Sequence, residues 1–327
     1  MKYVPVNYKD RTTRRQELSA SHLKIIHFAL IDNTMKQAYI CCGFLMKFTK
    51  YHALGNDYLV LDPRDQGQPS ALEAEHIKII CDRHFGIGSD GILFGPQPSS
   101  KASFSLRIFN PDGSEAEKSG NGIRIFCRYL WDCKLVGDEI FSVETKGGIV
   151  QAKILNTGTF VRVEMGKVSF RSEDIPVAGR PREVLREQIT AGDRTFQFCG
   201  ATIGNPHCVI PLDDISPSLA KQYGPLLENH VLFPNRTNAQ FLKVLDRQNI
   251  QIEIWERGAG YTLASGSSSC ASAAVARKLG ICDNQITVHM PGGNIEISVD
   301  DEFRVTMTGP VTRVADGNLS QEIFKSR

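Results

Sequence analysis

Two stretches of this chain repeat one plan, and any fold has to accommodate both. Residues 254–279 read IWERGAGYTLASGSSSCASAAVARKL. A strand-like run, Ile250 to Trp255, meets Glu256-Arg257, and a turn bearing Gly258 and Gly260 follows. Ser265-Gly266-Ser267 then opens a segment rich in Ala, Ser and Val that reads as a packed helix. Residues 107–130, RIFNPDGSEAEKSGNGIRIFCRYL, do the same: a strand ending at Phe109, then Asn110, a turn at Gly113, and Ser119-Gly120 opening a helix to about Leu130. Asn110 precedes Ser119 by nine positions, as Glu256 precedes Ser265.

The correspondence extends both ways. Downstream, the run from Phe141 to Ile149 and the run from Ile286 to Asn294 each read as strand, Gly-Gly turn, strand. Upstream, Gly55-Asn56-Asp57 before an apolar run matches Gly204-Asn205-Pro206-His207 before another. The offset stays between 144 and 149 residues, which marks a duplicated domain. Each Ser-Gly helix start leaves free backbone N–H groups and the positive end of a dipole, an arrangement that attracts anions. For one such stretch alone, a serine-capped core helix is the plainer reading; the repetition favours a paired role.

Composition limits what the pair can serve. At 327 residues the chain is long enough for two ordinary domains, and 41% apolar with 23% charged residues is normal for a globular protein. A net charge of +2 with no basic, aromatic-interleaved face gives no reason to expect nucleic acid. Nine cysteines, odd in number and none in a C-x-x-C pair, fit a reducing, cytoplasmic setting and argue against a metal site. No apolar run approaches the length that spans a membrane. Residues 1–45 are basic at Arg11 to Arg15 and only mildly apolar afterwards. They read as an appendage preceding the repeat, with a start codon assigned too early, against the alternative of a targeting or regulatory arm.

The expected layout is a first half over 46–165, a second over 166–309 and a C-terminal segment, 310–327, returning towards the first. Pro176, Gly179 and Pro181 mark the crossing. The fold class is α+β: two pseudo-symmetric domains, each a mixed sheet wrapped around a central helix, with a site in the cleft between them. The loop from His84 to Gly91 is either a plain turn cluster or a ligand lining. In the second half, Ser218 to Gln222 reads as a short helix and Leu226 to His230 as another.

In a pseudo-twofold arrangement the two helix N-termini converge on one pocket suited to a carboxylate. Asn56 and Asn205 occupy matching positions, as do Asn110 and Glu256, while His207 occurs in one half only. A small molecule held between equivalent side chains can lose a proton on one face and regain it on the other, which is racemase or epimerase logic. A lone histidine in a structural role is the alternative for His207.

Six motifs in order resemble the diaminopimelate epimerase family: K-F-T-K-Y-H-A-L-G-N-D at Lys47 to Asp57, N-P-D-G-S-E at Asn110 to Glu115, S-G-N-G-I-R at Ser119 to Arg124, G-N-P-H at Gly204 to His207, R-T-N at Arg236 to Asn238 and E-R-G-A-G at Glu256 to Gly260. The resemblance runs from Met46 to about Val314. It implies a cofactor-independent isomerase of amino acids, LL- to meso-diaminopimelate on the lysine and cell-wall precursor route, and a family-like homodimer. It also implies that Asn56, Asn110, Asn205, Asn238 and the backbone at Gly120-Asn121 and Gly266-Ser267 hold the substrate. His207 and Glu256 would flank the reacting carbon, with Arg257 beside the carboxylate.

The departure is at the centre, because the family places its two catalytic cysteines where this chain has Ser119 and Ser265. A thiol titrates near 8.5, whereas a hydroxyl is a poor base unless a neighbour takes its proton. Cys127 and Cys270 lie further along their helices and are expected to be core thiols. Ser119, Ser265, His207 and Glu256 are therefore the catalytic candidates. An isomerase or dehydratase of another small carboxylate, and a non-catalytic binding homologue, are the alternatives.

Overall fold

The computed structural model describes residues 46–65 and 71–325, so the expected appendage at 1–45 lies outside the described residues. The two halves repeat strand for strand. In the first, Met46–Ala53 turns at Leu54-Gly55 into Asn56–Leu61, which runs parallel to Ile92–Gln97. In the second, Arg194–Thr202 turns at Gly204 into Pro206–Pro211, which runs parallel to Asn238–Asp246. The next strands, Phe104–Phe109 and Asn249–Glu256, pair antiparallel to these and each leads into a short strand, Glu115–Ala116 or Gly260–Thr262. Those two short strands escape a sequence reading because two or three residues show no periodicity.

Among the described residues four α-helices complete the repeat: α1 (Ala74–Cys81), α2 (Gly120–Asp132), α3 (Pro217–Glu228) and α4 (Gly266–Lys278). Here α1 matches α3 and α2 matches α4 in position along the halves. The second-half helix is one continuous element, not the two short ones expected. Pro225 removes a single backbone donor, and Gly224 lets the helix lie on Trp255, where a Cβ would sit 2.4 Å from the indole Cγ. Packing against that ring carries the helix through a residue that local propensity reads as a break.

The two central helices are buried on nearly every side. From α2, Ile123, Phe126 and Leu130 pack among Val150, Val163 and Met165; from α4, Ala271, Ala274 and Val275 pack among Ile252, Ile254 and Ile297. The Ala and Ser content of α4 thus reflects a helix enclosed by sheet, where small side chains permit close approach. The halves are stitched by antiparallel pairing of Phe160–Lys167 with Arg304–Pro310, and Thr312–Leu319 pairs with Met46–Ala53. Among the described residues no helix is long and apolar enough to cross a membrane.

Candidate active site

Both central helices begin at a serine in extended backbone conformation. Ser119 Oγ accepts the Gly122 N–H at 3.1 Å and Ser265 Oγ accepts the Ser268 N–H at 3.4 Å. A hydroxyl accepting at this position satisfies one of the donors that a helix start leaves free, and the remaining N–H groups point past it. The two starts touch. A Cβ on Gly120 would lie 3.5 Å from Gly266 Cα, and one on Gly266 would lie 3.3 Å from Gly120 Cα. A Cβ on Gly120 would also run into Met307 Cε at 2.7 Å, and one on Gly266 would crowd Met307 Sδ at 3.1 Å, so the glycine after each serine lets the two helix starts, and the serines with them, come together.

Around this contact the expected residues fall into two groups. In the first half, Arg124 Nη2 donates to Asn121 Oδ1 at 2.9 Å, Asn121 Nδ2 to Asn56 Oδ1 at 3.1 Å, and Asn56 Nδ2 to Asp90 Oδ2 at 2.9 Å. Arginine only donates and a carboxylate only accepts, so both amides in this chain have a fixed orientation. Asn121 also reaches across to the Ala264 carbonyl at 3.4 Å. Arg124 is fully buried with no carboxylate paired to it among the described residues, and burial pushes it down to about 10. Asp57 is held below the usual carboxylate range: burial would raise it, but Arg83 and Lys50 outweigh that.

In the second half, Asn205 Nδ2 donates to Ser267 Oγ at 3.3 Å, and Asn205 Oδ1 meets His207 Nε2 at 3.0 Å. His207 is fully buried, and burial pushes it down to about 3 while the nearby Gln240 works the other way. The Glu256 carboxylate accepts from Thr262 Oγ1 at 2.8 Å. Burial raises it, the hydroxyls of Thr262 and Ser265 lower it, and the charge of Asp90 raises it again. Asp90, from the first half, thus acts on Glu256, from the second.

Other expected residues sit differently. Asn110 donates to Ser114 Oγ within its own turn. Asn238 ties Pro206 to the backbone N–H of Arg257, and the Arg257 guanidinium donates to the Asn235 carbonyl. Cys127 and Cys270 are fully buried thiols; burial pushes both up, Cys270 to about 12. The His84–Gly91 loop is closely packed against the helix before it. A Cβ on Gly86 would lie 2.0 Å from the Ile79 carbonyl, while Asp90 reaches Asn56. A separate concavity lined by Leu54, Phe160 and Thr287 contains none of these groups.

Sequence reading missed Tyr58, whose hydroxyl lies 3.1 Å from Ser119 Oγ, and it missed Asp90, Thr262 and Glu228. Only the glycine-rich loop hinted at Asp90. The other three are ordinary strand or helix residues until the fold brings them together.

Residues 48–171 and 199–314 match the diaminopimelate epimerase family, which covers most of both halves. The chain belongs to the diaminopimelate epimerase family. It is 65% identical over 279 residues to diaminopimelate epimerase 2 of Nostoc sp. (strain PCC 7120), covering 85% of this chain and 97% of the relative. It is 39% identical over 280 residues to diaminopimelate epimerase of Moorella thermoacetica, covering 84% and 99%. Among solved structures it resembles a hydroxyproline epimerase from Agrobacterium vitis with bound trans-4-hydroxy-L-proline (TM-score 0.62, 15% identity, 84% and 92% covered). A second likeness is to a probable proline racemase from Agrobacterium radiobacter K84 (TM-score 0.63, 14% identity, 86% and 94% covered). These two share the fold of this diaminopimelate epimerase family member, the expected two pseudo-symmetric α+β domains. The chain is an isomerase of the epimerase type, and membership in the family favours that reading over the dehydratase and the non-catalytic homologue.

Proposed function

We propose that this epimerase interconverts LL- and meso-diaminopimelate without a cofactor, by removing the α-proton on one face and returning it on the other. The observation that carries this reading is the backbone contact of Gly120 with Gly266, which sets Ser119 and Ser265, one from each half, side by side at two helix starts.

The substrate carboxylate sits against the N–H groups of Gly120-Asn121 and Gly266-Ser267, where two dipole ends favour an anion. Arg257 lies at the mouth beside it. Asn56, Asn110, Asn205 and Asn238 hold the rest of the substrate, with Asn56 and Asn205 presented by the same turn in the two halves. Ser119 and Ser265 face the reacting carbon. Glu256 takes the proton that Ser265 receives, and its place among buried groups keeps its affinity for a proton above that of an exposed carboxylate. His207 acts from behind, orienting Asn205 through the 3.0 Å contact. We further propose a cytoplasmic homodimer with the halves bounded near 165 and 309.

The test is proton NMR of the purified protein with each isomer in deuterium oxide. Loss of the α-proton signal with interconversion of the isomers is expected. No exchange above a protein-free control would overturn the substrate assignment.

A further inference from the structure

The turn that presents Asn56 and the turn that presents Asn205 are equivalent, so the residue two places on is Tyr58 in one half and His207 in the other. His207 reaches back to Asn205, but Tyr58 reaches forward to Ser119, with 3.1 Å between the two oxygens. The ring is held in place: it is nearly buried, and a Cβ on Gly91 would lie 2.7 Å from its Cε1 and 2.4 Å from the Phe109 carbonyl. Ser119 Oγ therefore receives the Gly122 N–H on one side and faces the phenol on another. With Tyr58 donating, the hydroxyl proton of Ser119 is free to point into the cleft.

We propose that Tyr58 supplies the proton that Ser119 gives to the substrate carbanion, so that a tyrosine–serine pair serves one face and a glutamate–serine pair the other. This rests on the reading above, in which the reacting carbon lies between the serines. On the Ser265 face the α C–H bond breaks, Ser265 Oγ takes the proton, and its own hydroxyl proton passes to Glu256; the electron pair stays on carbon. On the Ser119 face that pair takes the Ser119 hydroxyl proton and forms the new C–H bond. The phenolic proton of Tyr58 moves onto Ser119 Oγ and leaves a phenolate. After product release, water carries a proton from Glu256 to Tyr58 and the starting state returns. The opposite reaction begins from the phenolate and the protonated Glu256.

The surroundings suit a donor. Burial pushes the Tyr58 phenol up to about 12, with Glu256, Asp90 and Asp57 acting in the same direction and Ser119 against it. The phenol thus holds its proton near neutral pH and gives it only to a stronger base, such as a serine oxygen that has just lost its own.

Tyr58→Phe keeps the ring and removes the donor. Each diaminopimelate isomer is incubated with it in deuterium oxide, and exchange and inversion are followed separately. Inversion in both directions should fall at least about 100-fold. The isomer whose α-proton faces Ser265 should still exchange without inversion, and the other should not. Inversion within about threefold of wild type, or equal loss of exchange from both isomers, would overturn the proposal. Tyr58→Phe combined with Ser119→Cys should restore inversion at least about tenfold, because a thiol titrating near 8.5 needs no phenol; no recovery points to lost packing and also overturns it. If wild type itself exchanges neither isomer, it is the proposed function that fails, a pattern distinct from all of these.

Discussion

The indole of Trp255 donates to Glu228 Oε2 at 2.7 Å, on a carboxylate whose other oxygen accepts the Gly258 N–H and Arg236 Nη1, both at 2.9 Å. Trp255 precedes Glu256 and Gly258 follows it by two, so both ends of the Glu256 turn hang on one buried side chain.

Glu228→Gln offers one acceptor where three donors converge and leaves at least one buried N–H unpaired. Such a group costs about 1–3 kcal/mol. Thermal unfolding should register that loss, and kcat should fall severalfold because the Glu256 carboxylate is no longer held. An unchanged kcat would separate Glu228 from the site.

Gly266→Ala tests the contact between the helices. Alanine improves helix propensity by up to about 1 kcal/mol, but its Cβ would meet Gly120 Cα at 3.3 Å and Met307 Sδ at 3.1 Å. Overpacking of this kind costs about 1–3 kcal/mol. Stability should therefore fall by no more than about 2 kcal/mol in sum while kcat/KM falls more than about tenfold, since a small displacement separates the two serines. Steady-state kinetics beside urea unfolding distinguishes this from a general loss of fold.

Glu256→Gln should abolish turnover and leave ligand binding by calorimetry largely intact. For the isomer whose α-proton faces Ser265 the wild-type carboxylate must be ionised to accept a proton, and burial raises its proton affinity above the usual 4.5. The kcat/KM profile should thus fall on the acid side with a midpoint above that value. Asp90→Asn removes a charge that adds to the rise, so the same limb should move to lower pH. A limb at or below 4.5 in the wild type would exclude Glu256 as the group responsible.

His207 gives a stability prediction with a definite sign. Its folded-state value lies near 3 against 6.5 unfolded, so only the unfolded chain binds the proton between those limits. The stability it contributes is complete above about pH 6.5 and is lost as pH falls towards 3, at about 1.4 kcal/mol per unit. Between pH 7.5 and pH 5 the wild type should lose about 2 kcal/mol more than His207→Gln in urea titrations. Equal losses would show that the ring is charged in the folded protein.

The repeat, the two serine caps and the Gly-Asn turns were legible in the residues because each is a local pattern: a cap, a glycine and a periodicity recur at a fixed offset. From that pattern follow the α+β class, the pairing of α2 with α4 and the burial of Cys127 and Cys270. Only the tertiary structure decided that Gly120 and Gly266 touch, that Asp90 acts on Glu256 from the other half, and that α3 runs through Pro225 against Trp255. It also decided the partner of Tyr58, which lies 61 positions from Ser119. A strand tyrosine has the same sequence signature whether it packs in the core or meets a hydroxyl. What distinguishes the two is the position of another chain segment, set by the packing of the whole core.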